Sequence, residues 1–291
     1  MQTTFPIVST AWLSDHLDDR DIVILESSVY LESGTASSPV SKYRSGRSEF
    51  LSEGRIRNAR FADLFEQCSD PDASLPFTRP TRDQFNAAAG ALGIGPHTHV
   101  IIYDRLAGQW ASRLWWVFRS FGHHNVSVLD GGFKKYSREE RPVETTSPSS
   151  FEPAPNRSEG HDEFVALRKD IKDRAKGEQA ASLVCLLKPD DYAGTVSVRS
   201  RAGQIPGSIN LPFTELLDAK DNTLRDDESL RRAFSAVVPL DGRLIVTYCG
   251  GGIASTLGAL ALATIGYVNT REYDGSLVDW INDPQAPLEL G

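Results

Sequence analysis

The chain carries one pattern of residues twice, and this repeat constrains its fold more than any other feature. Glycine, aspartate and aromatic positions of the first half recur 144 residues later in the second half: Gly122, Asp130 and Tyr136, then Gly266, Asp274 and Trp280. Further upstream, the segment 54–59 (GRIRNA) is similar to the segment 203–208 (GQIPGS). Because matching segments follow one another in the same order, we expect two domains with one fold.

Short apolar, β-branched runs alternate with longer helix-like stretches in both halves. The predicted strands are residues 21–25, 100–103, 126–129, 183–187 and 244–248. The predicted helices include residues 81–92, 112–121, 162–175 and 257–265. Strands that alternate with helices are typical of an α/β fold in which helices flank parallel sheets.

A stretch rich in proline, serine and threonine separates the two halves. Residues 142–158 contain four prolines and no apolar periodicity, which is typical of a linker that runs over the surface. We therefore predict two domains, at residues 1–141 and 159–291. The chain of 291 residues is long enough for each domain to bury its own core.

A cysteine lies where a predicted strand gives way to a predicted helix in the second half. The run 244–248 (LIVTY) ends directly before Cys249, and the glycines 250–252 follow it. Glycines allow a tight turn, and the amides that open a helix have no intrahelical acceptor, so such a loop binds anions. The positive end of the helix also stabilises a thiolate over a thiol. Cys249 is therefore a candidate nucleophile, and the alternative is a buried structural cysteine at the end of a strand.

Three motifs of the second half resemble those of one enzyme family. The loop 249–254 (CGGGIA) fits the active-site pattern Cys-x-x-Gly-x-(Thr/Ala) of the rhodanese sulfurtransferases. Residues 273–280 (YDGSLVDW) and 203–212 (GQIPGSINLP) resemble two further motifs of that family. Together with the repeat, they resemble the tandem arrangement of the thiosulfate and 3-mercaptopyruvate sulfurtransferases. The resemblance implies two rhodanese-like domains, each a parallel sheet flanked by helices.

The resemblance also implies a sulfurtransferase that needs neither a cofactor nor a metal ion. Cys249 takes sulfane sulfur from thiosulfate or 3-mercaptopyruvate as a persulfide and passes it to cyanide, a thiol or a protein. The residues implied in donor binding are those of the active loop and one arginine: Gly250, Gly251, Gly252, Ile253, Ala254 and Arg199. The first domain is implied to be non-catalytic, because the position equivalent to Cys249 is Arg105, or Asp104 if the loop is one residue longer.

Several positions depart from the patterns of the family and leave the donor open. Thiosulfate-specialised relatives carry basic residues just after the cysteine and mercaptopyruvate-specialised relatives carry Gly-Ser, whereas this chain has Gly250 and Gly251. Of the arginines that hold the mercaptopyruvate carboxylate in relatives, one is replaced by Asp191, and Arg199 or Arg201 matches the other.

Two further departures concern polar side chains of the family. Cys185 stands where the family has an aspartate, and Gln204 replaces a histidine. Because the carboxyl ends of parallel strands meet at one edge of a sheet, Cys185 is a candidate to resolve the Cys249 persulfide as a disulfide. The alternative is a core residue whose buried thiol is unreactive.

Other functions are compatible with parts of the pattern. Dual-specificity phosphatases use Cys-x5-Arg in the same geometry, but Ser255 occupies the arginine position here, so the guanidinium clamp on the transferred group is missing. We do not expect a dinucleotide-binding sheet, because the 17 residues after Asp274 are too few for its second half. A persulfide carrier or interaction module that serves a biosynthetic partner, with little turnover of small molecules, stays open.

The composition narrows the classes of partner. With 31 Lys plus Arg against 39 Asp plus Glu, the formal net charge is −8, so we expect neither nucleic acid nor an anionic membrane as a partner. The chain has no run typical of a membrane span, and its first ten residues lack the features of a signal peptide, so we expect a cytoplasmic protein. Cys68, Cys185 and Cys249 show neither metal-ligand spacing nor a disulfide framework, which suits a reducing compartment.

Overall fold

The computed structural model describes residues 5–32, 42–148, 150–175, 181–196 and 199–291. It divides the chain into two units that are described separately below. Unit 1 comprises Met1–Asp72 and Arg79–Glu159, and unit 2 comprises Ala73–Thr78 and Gly160–Gly291. None of the described helices is long and apolar enough to cross a membrane.

Unit 1 is built on a parallel sheet with helices packed around it. Its described elements are, in chain order, β1 (Ile7–Val8), α1 (Thr10–Asp15), β2 (Ile22–Glu26), β3 (Val29–Glu32), β4 (Lys42–Ser45), α2 (Arg47–Ser52), β5 (Arg55–Ile56), β6 (Arg60–Phe61), α3 (Arg82–Ala91), β7 (His99–Tyr103), α4 (Gln109–Ser120), β8 (Val126–Leu129), α5 (Gly132–Arg138) and β9 (Val143–Glu144). The main sheet has the order β1-β8-β7-β2-β6, and all its neighbouring strands are parallel. Two antiparallel pairs, β3 with β4 and β5 with β9, lie outside it.

Unit 2 repeats this plan. Its described elements are β10 (Val165–Ala166), α6 (Arg168–Ala175), β11 (Ser182–Cys185), α7 (Pro189–Ala193), β12 (Ile209–Asn210), α8 (Asp227–Ser235), β13 (Ile245–Tyr248), α9 (Ala254–Thr264), β14 (Thr270–Tyr273) and α10 (Ser276–Ile281), with one-turn 3-10 helices at Asp162–Phe164 and Phe213–Leu216. The sheet has the order β10-β14-β13-β11-β12, again with parallel neighbours. The strands therefore follow the same spatial order in both units, and the predicted α/β fold with a repeated parallel sheet is confirmed.

Most predicted elements are present, with one clear error in unit 2. The predicted helix 162–175 is wrong in its first part, where β10 pairs with β14 and Ala166 is buried. The helix begins only at Arg168, where the side chain of Asp170 accepts a hydrogen bond from the amide of Leu167. An edge strand of two residues is too short to show a period of its own, so the helical pattern of the following residues extended the prediction too far.

The predicted linker is exposed but not without structure. Its described residues, 142–148 and 150–158, are exposed or half-buried. Two of them form β9, which pairs with β5 of unit 1, and Ser149 lies outside the described residues. The stretch belongs to unit 1 by its contacts. The domain boundaries inferred from the sequence stay a prediction.

The sheet of unit 2 separates two layers of core side chains. Val246 and Tyr248 of β13 pack with Trp280 on one face, whereas Ile245 packs with Phe234 on the other. All four residues of β13 are buried, and the side chains at 255–262 of α9 are buried as well. A central strand and its following helix are thus enclosed by the core, which gives the loop between them a rigid support.

Candidate active site

Cys249 lies in the turn that joins β13 to α9. It directly follows Tyr248, the last residue of the strand, and α9 begins five residues later at Ala254. Gly252 has a φ of 75°, a backbone conformation that residues with a Cβ rarely adopt, so this glycine is required by the turn. Cys249 itself is only 3% exposed. The strand, loop and helix predicted around this cysteine are confirmed.

The start of α10 holds the loop in place. The amide of Cys249 donates to Oγ of Ser276 at 3.1 Å, and the Ser276 hydroxyl donates to the carbonyl of Tyr273 at 2.9 Å. In the other direction, the amides of Leu277 and Val278 donate to the carbonyls of Cys249 and Gly250 at 3.1 and 2.9 Å. The motif at 273–280 therefore holds the backbone of the cysteine loop through the first residues of α10.

A buried chain of polar groups leads away from the sulfur. Oγ of Ser255 is 3.3 Å from Sγ of Cys249, and its hydroxyl also donates to a carboxylate oxygen of Glu272. The hydroxyl of Thr247 donates to the second carboxylate oxygen at 2.5 Å. Ser255, Glu272 and Thr247 are all fully buried. Since a serine hydroxyl has one proton, Ser255 donates either to the carboxylate or to the sulfur at any moment.

Sequence reasoning did not assign catalytic roles to Ser255 and Glu272. In the sequence, Ser255 stands out only because it occupies the arginine position of the phosphatases and, with Glu272, fits part of a dinucleotide-binding pattern. The fully buried carboxylate of Glu272 in β14 is the signal that points to such a role, because buried charges are rare unless they are paired or hydrogen-bonded.

Of the two candidate arginines, the structure brings one to the loop. The guanidinium of Arg199 lies against Gly250. Its Nη2 is 3.1 Å from the position that a Cβ on Gly250 would take. Nη1 of Arg199 is 2.8 Å from Oδ1 of Asp191. Arg201 instead donates to the carbonyls of Asp283 and Ala286. Of the two arginines, Arg199 is therefore the one that lies beside the cysteine loop, whereas Arg201 binds the C-terminal segment.

Cys185 lies at the carboxyl-terminal end of its strand, as Cys249 does, but on the other face of the sheet. In the ladder it is paired with Tyr248, and both side chains pack in the layer with Trp280, whereas Cys249 packs in the opposite layer. Cys185 is fully buried, and burial raises the pKa of its thiol to about 12. Burial and a position on the opposite face of the sheet both disfavour a disulfide between Cys185 and Cys249. The role of Cys185 in resolving the persulfide stays a prediction.

Known proteins share the motifs that build this loop. A model of the rhodanese-like domain matches residues 9–139 and again residues 169–283. The chain belongs to the rhodanese family. The two matches cover both repeats, as the duplicated motifs predicted, and the second match contains the cysteine loop.

Relatives of this rhodanese are sulfurtransferases with different donors. It is 32% identical to the human 3-mercaptopyruvate sulfurtransferase over 284 residues, which cover 94% of this chain and 91% of the relative. It is 33% identical to the thiosulfate sulfurtransferase of Bos taurus over 294 residues, which cover 97% and 93% of the two chains. The crystal structure of SseA from Escherichia coli, a 3-mercaptopyruvate sulfotransferase, is 30% identical with a TM-score of 0.77, covering 94% of this chain and 99% of that one. Since the identities are nearly equal, the comparison does not choose between the donors.

The equivalent loop of the first rhodanese domain contains an aspartate in place of the cysteine. Asp104 directly follows β7, and α4 begins five residues after it. Cys249 likewise directly follows β13, and α9 begins five residues after it. Asp104, and not Arg105, is therefore the equivalent of Cys249. The side chain of Arg105 instead binds the buried carboxylate of Glu26, with Nε 2.5 Å from Oε1.

The carboxylate of Asp104 fills the loop of its own domain. Oδ1 accepts hydrogen bonds from the amides of Leu106 and Gly108 at 2.8 and 3.0 Å, and Oδ2 accepts from those of Trp110 and Ala111 at 2.9 and 3.0 Å. Because four backbone amides converge on this one carboxylate, the loop of the first domain is an anion site. In the first rhodanese domain the bound anion is the side chain of Asp104.

Proposed function

We propose that this protein is a sulfurtransferase that carries sulfane sulfur as a persulfide on Cys249. The observation that carries this proposal is the pair of equivalent loops. One of them binds the carboxylate of Asp104 through four backbone amides, and the other has a cysteine at the same point. A sulfur placed where amides and a helix N-terminus favour negative charge is well suited to react as a thiolate.

The reaction has two steps. The thiolate of Cys249 attacks the outer sulfur of a donor such as thiosulfate or 3-mercaptopyruvate, the donor's bond to that sulfur breaks, and sulfite or pyruvate enolate leaves with the electron pair. An acceptor thiolate or cyanide then attacks the same sulfur and regenerates Cys249. The enzyme therefore alternates between a free and a sulfur-loaded form.

The other residues of the site have roles in charge stabilisation. The backbone amides of residues 250–254 stabilise the charge on the sulfur atoms as the persulfide forms. The guanidinium of Arg199, adjacent to Gly250, attracts the anionic end of the donor. Ser255 is the catalytic hydroxyl, because it touches the reacting sulfur at 3.3 Å.

We assign this reaction to a reducing compartment, with the cytosol as the simplest site. All three cysteines are free thiols. Burial raises the pKa of both Cys68 and Cys185 to about 12, so neither competes with Cys249 for the donor.

Mass spectrometry of the intact protein tests the proposal. We expect the wild type to gain the mass of one sulfur atom on incubation with thiosulfate or 3-mercaptopyruvate, and to lose it when cyanide or a thiol is added. Cys249→Ser should keep its fold by circular dichroism and gain nothing from any donor. Cys68→Ala is the matched control, since it removes a buried thiol and should load like the wild type. Loading of Cys249→Ser at the rate of the wild type would refute the proposal.

A second function, that of a sulfur carrier for a protein partner, is favoured by the ion pair between Asp191 and Arg199. This pair engages the arginine that a small anionic donor needs. A carrier would load from a protein persulfide and show little turnover with small donors. A steady-state assay with cyanide and with a reduced protein thiol separates the two functions, because only an enzyme of the first kind turns over many times with cyanide.

A further inference from the structure

Asp191 and Arg199 place opposite charges directly beside the cysteine loop. Nη1 of the arginine is 2.8 Å from Oδ1 of the aspartate, and the side chains are 9% and 28% exposed. Nη2, the other arm of the same guanidinium, is the atom nearest to the Cβ position of Gly250. A molecule whose sulfur reaches Cys249 therefore meets the guanidinium of Arg199. Beyond the guanidinium lies the carboxylate of Asp191, which is partly accessible to solvent.

The absence of a side chain at Gly250 allows this arrangement. A Cβ there would stand 3.1 Å from Nη2 of Arg199, which is closer than most Cβ contacts, and at an ordinary contact distance of 3.6 Å from Cζ and Nε. Any larger residue at this position would push the guanidinium away from the loop. At Gly251 the nearest atom to a Cβ is a methyl carbon of Val278 at 4.0 Å, so that position leaves open space for a small donor.

A fixed carboxylate at this point changes which donors bind well. Thiosulfate and 3-mercaptopyruvate bring only negative charge, so Asp191 repels them and competes with them for Arg199. A donor that has a carboxylate and an ammonium group on the same carbon atom is complementary to both side chains. Its carboxylate pairs with the guanidinium, and its ammonium group pairs with Asp191. The two groups occur together on the α-carbon of every free amino acid.

We propose that the preferred sulfur donor is the hydropersulfide of an α-amino acid of the cysteine class, bound through Arg199 and Asp191. This inference rests on the proposed persulfide chemistry of Cys249. The thiolate of Cys249 attacks the outer sulfur of the donor, a bond forms between Sγ and that sulfur, and the sulfur–sulfur bond of the donor breaks. The electron pair leaves with the amino-acid thiolate, the proton stays on the transferred sulfur, and no external oxidant or reductant is consumed.

Such a donor is short. Only the β-carbon and the inner sulfur separate the α-carbon from the sulfur that is transferred. The charged groups therefore stay close to the reacting atoms, where Arg199 lies against the residue that follows Cys249. A peptide persulfide, in which the amino group is acylated, keeps the sulfur but loses the ammonium group that Asp191 recognises.

The test compares two donors that differ in this one group. L-cysteine hydropersulfide and N-acetyl-L-cysteine hydropersulfide are mixed with the protein, the reaction is stopped rapidly, and the sulfur on the peptide that contains Cys249 is quantified. For the wild type we expect kcat/KM to be about tenfold higher for the free amino acid, as one charge pair supplies. Asp191→Asn should abolish this preference and should raise kcat/KM for 3-mercaptopyruvate several-fold, because the repulsive charge is gone.

Two variants separate recognition from a general change in charge or fold. Asp190→Asn removes the same charge from the neighbouring, exposed position of α7, and it should leave the preference unchanged. Asp191→Glu keeps the carboxylate and should retain a preference for the free amino acid.

The outcomes distinguish this inference from the function on which it rests. Equal rates for the two donors in the wild type, or an equal loss for both donors in Asp191→Asn, overturn the amino-acid site while persulfide formation at Cys249 stands. Failure of every donor, including thiosulfate and 3-mercaptopyruvate, to load Cys249 overturns both.

Discussion

Replacing Asp104 by asparagine tests whether the loop of the first domain is built to hold an anion. Asparagine keeps the shape and one carbonyl oxygen, but its amide group donates where the second carboxylate oxygen accepted. Two of the four backbone amides at 106, 108, 110 and 111 then face a donor and lose their acceptor. Asp104 is 1% exposed, so water cannot replace the missing acceptor without opening the loop.

The magnitude follows from the two lost hydrogen bonds. A buried amide left without a partner costs about 1–3 kcal/mol, which gives about 2–6 kcal/mol for the pair. Part of this loss is offset, because burial raises the pKa of the Asp104 carboxyl despite the amides that lower it, and a neutral side chain avoids that desolvation. We therefore expect the free energy of unfolding to fall by about 2–3 kcal/mol.

Urea unfolding of the full chain and hydrogen exchange measure this effect together. Asp18→Asn is the control, because its carboxylate is 80% exposed and its ion pair with Arg57 contributes about 1 kcal/mol or less. We expect the amide protons of Leu106, Gly108, Trp110 and Ala111 to exchange much faster in Asp104→Asn, and not in Asp18→Asn. Unchanged exchange together with a stability equal to that of the control would refute the claim that these amides form an anion site.

Two further predictions concern the cysteine loop. Gly251→Lys should lower the KM for thiosulfate about tenfold in a cyanide assay, since one cation about 6 Å from a divalent anion in a water-like dielectric supplies about 1.4 kcal/mol. A Cβ at Gly251 meets no atom closer than 4.0 Å. An unchanged KM would show that loop charge does not select the donor. Ser255→Ala removes the hydroxyl 3.3 Å from the sulfur, so alkylation of Cys249 by iodoacetamide at neutral pH should slow about tenfold. Thr264→Ala, at the far end of α9, is its control, and equal rates in the two variants would contradict the assigned contact.

Local patterns in the sequence predicted the main features of the site and of the fold. The repeat at a spacing of 144 residues predicted two domains of one fold, and both sheets indeed have the same strand order. The run 244–248, the glycines after Cys249 and the alanine-rich helix predicted the turn that the structure contains. These features can be predicted from the sequence because strand, turn and helix preferences depend mainly on neighbouring residues.

Only the tertiary structure decided which side chains meet. Cys185 was placed correctly at the edge of the sheet, but the alternation of side chains along β11 directs it to the face opposite Cys249. Ser255 and Glu272 are 17 residues apart and come together through the packing of α9 on β14, which no local pattern encodes.

The same holds for the charges beside the loop and for its counterpart in the first domain. The position of Arg199 between Asp191 and Gly250 depends on contacts between residues that are far apart in the sequence. The choice between Asp104 and Arg105 depended on the length of one loop, which the sequence left open. Sequence determines the backbone motifs from neighbouring residues, whereas the chemistry of the site depends on distances between residues far apart in the chain, and these are set by the packing of the whole sheet.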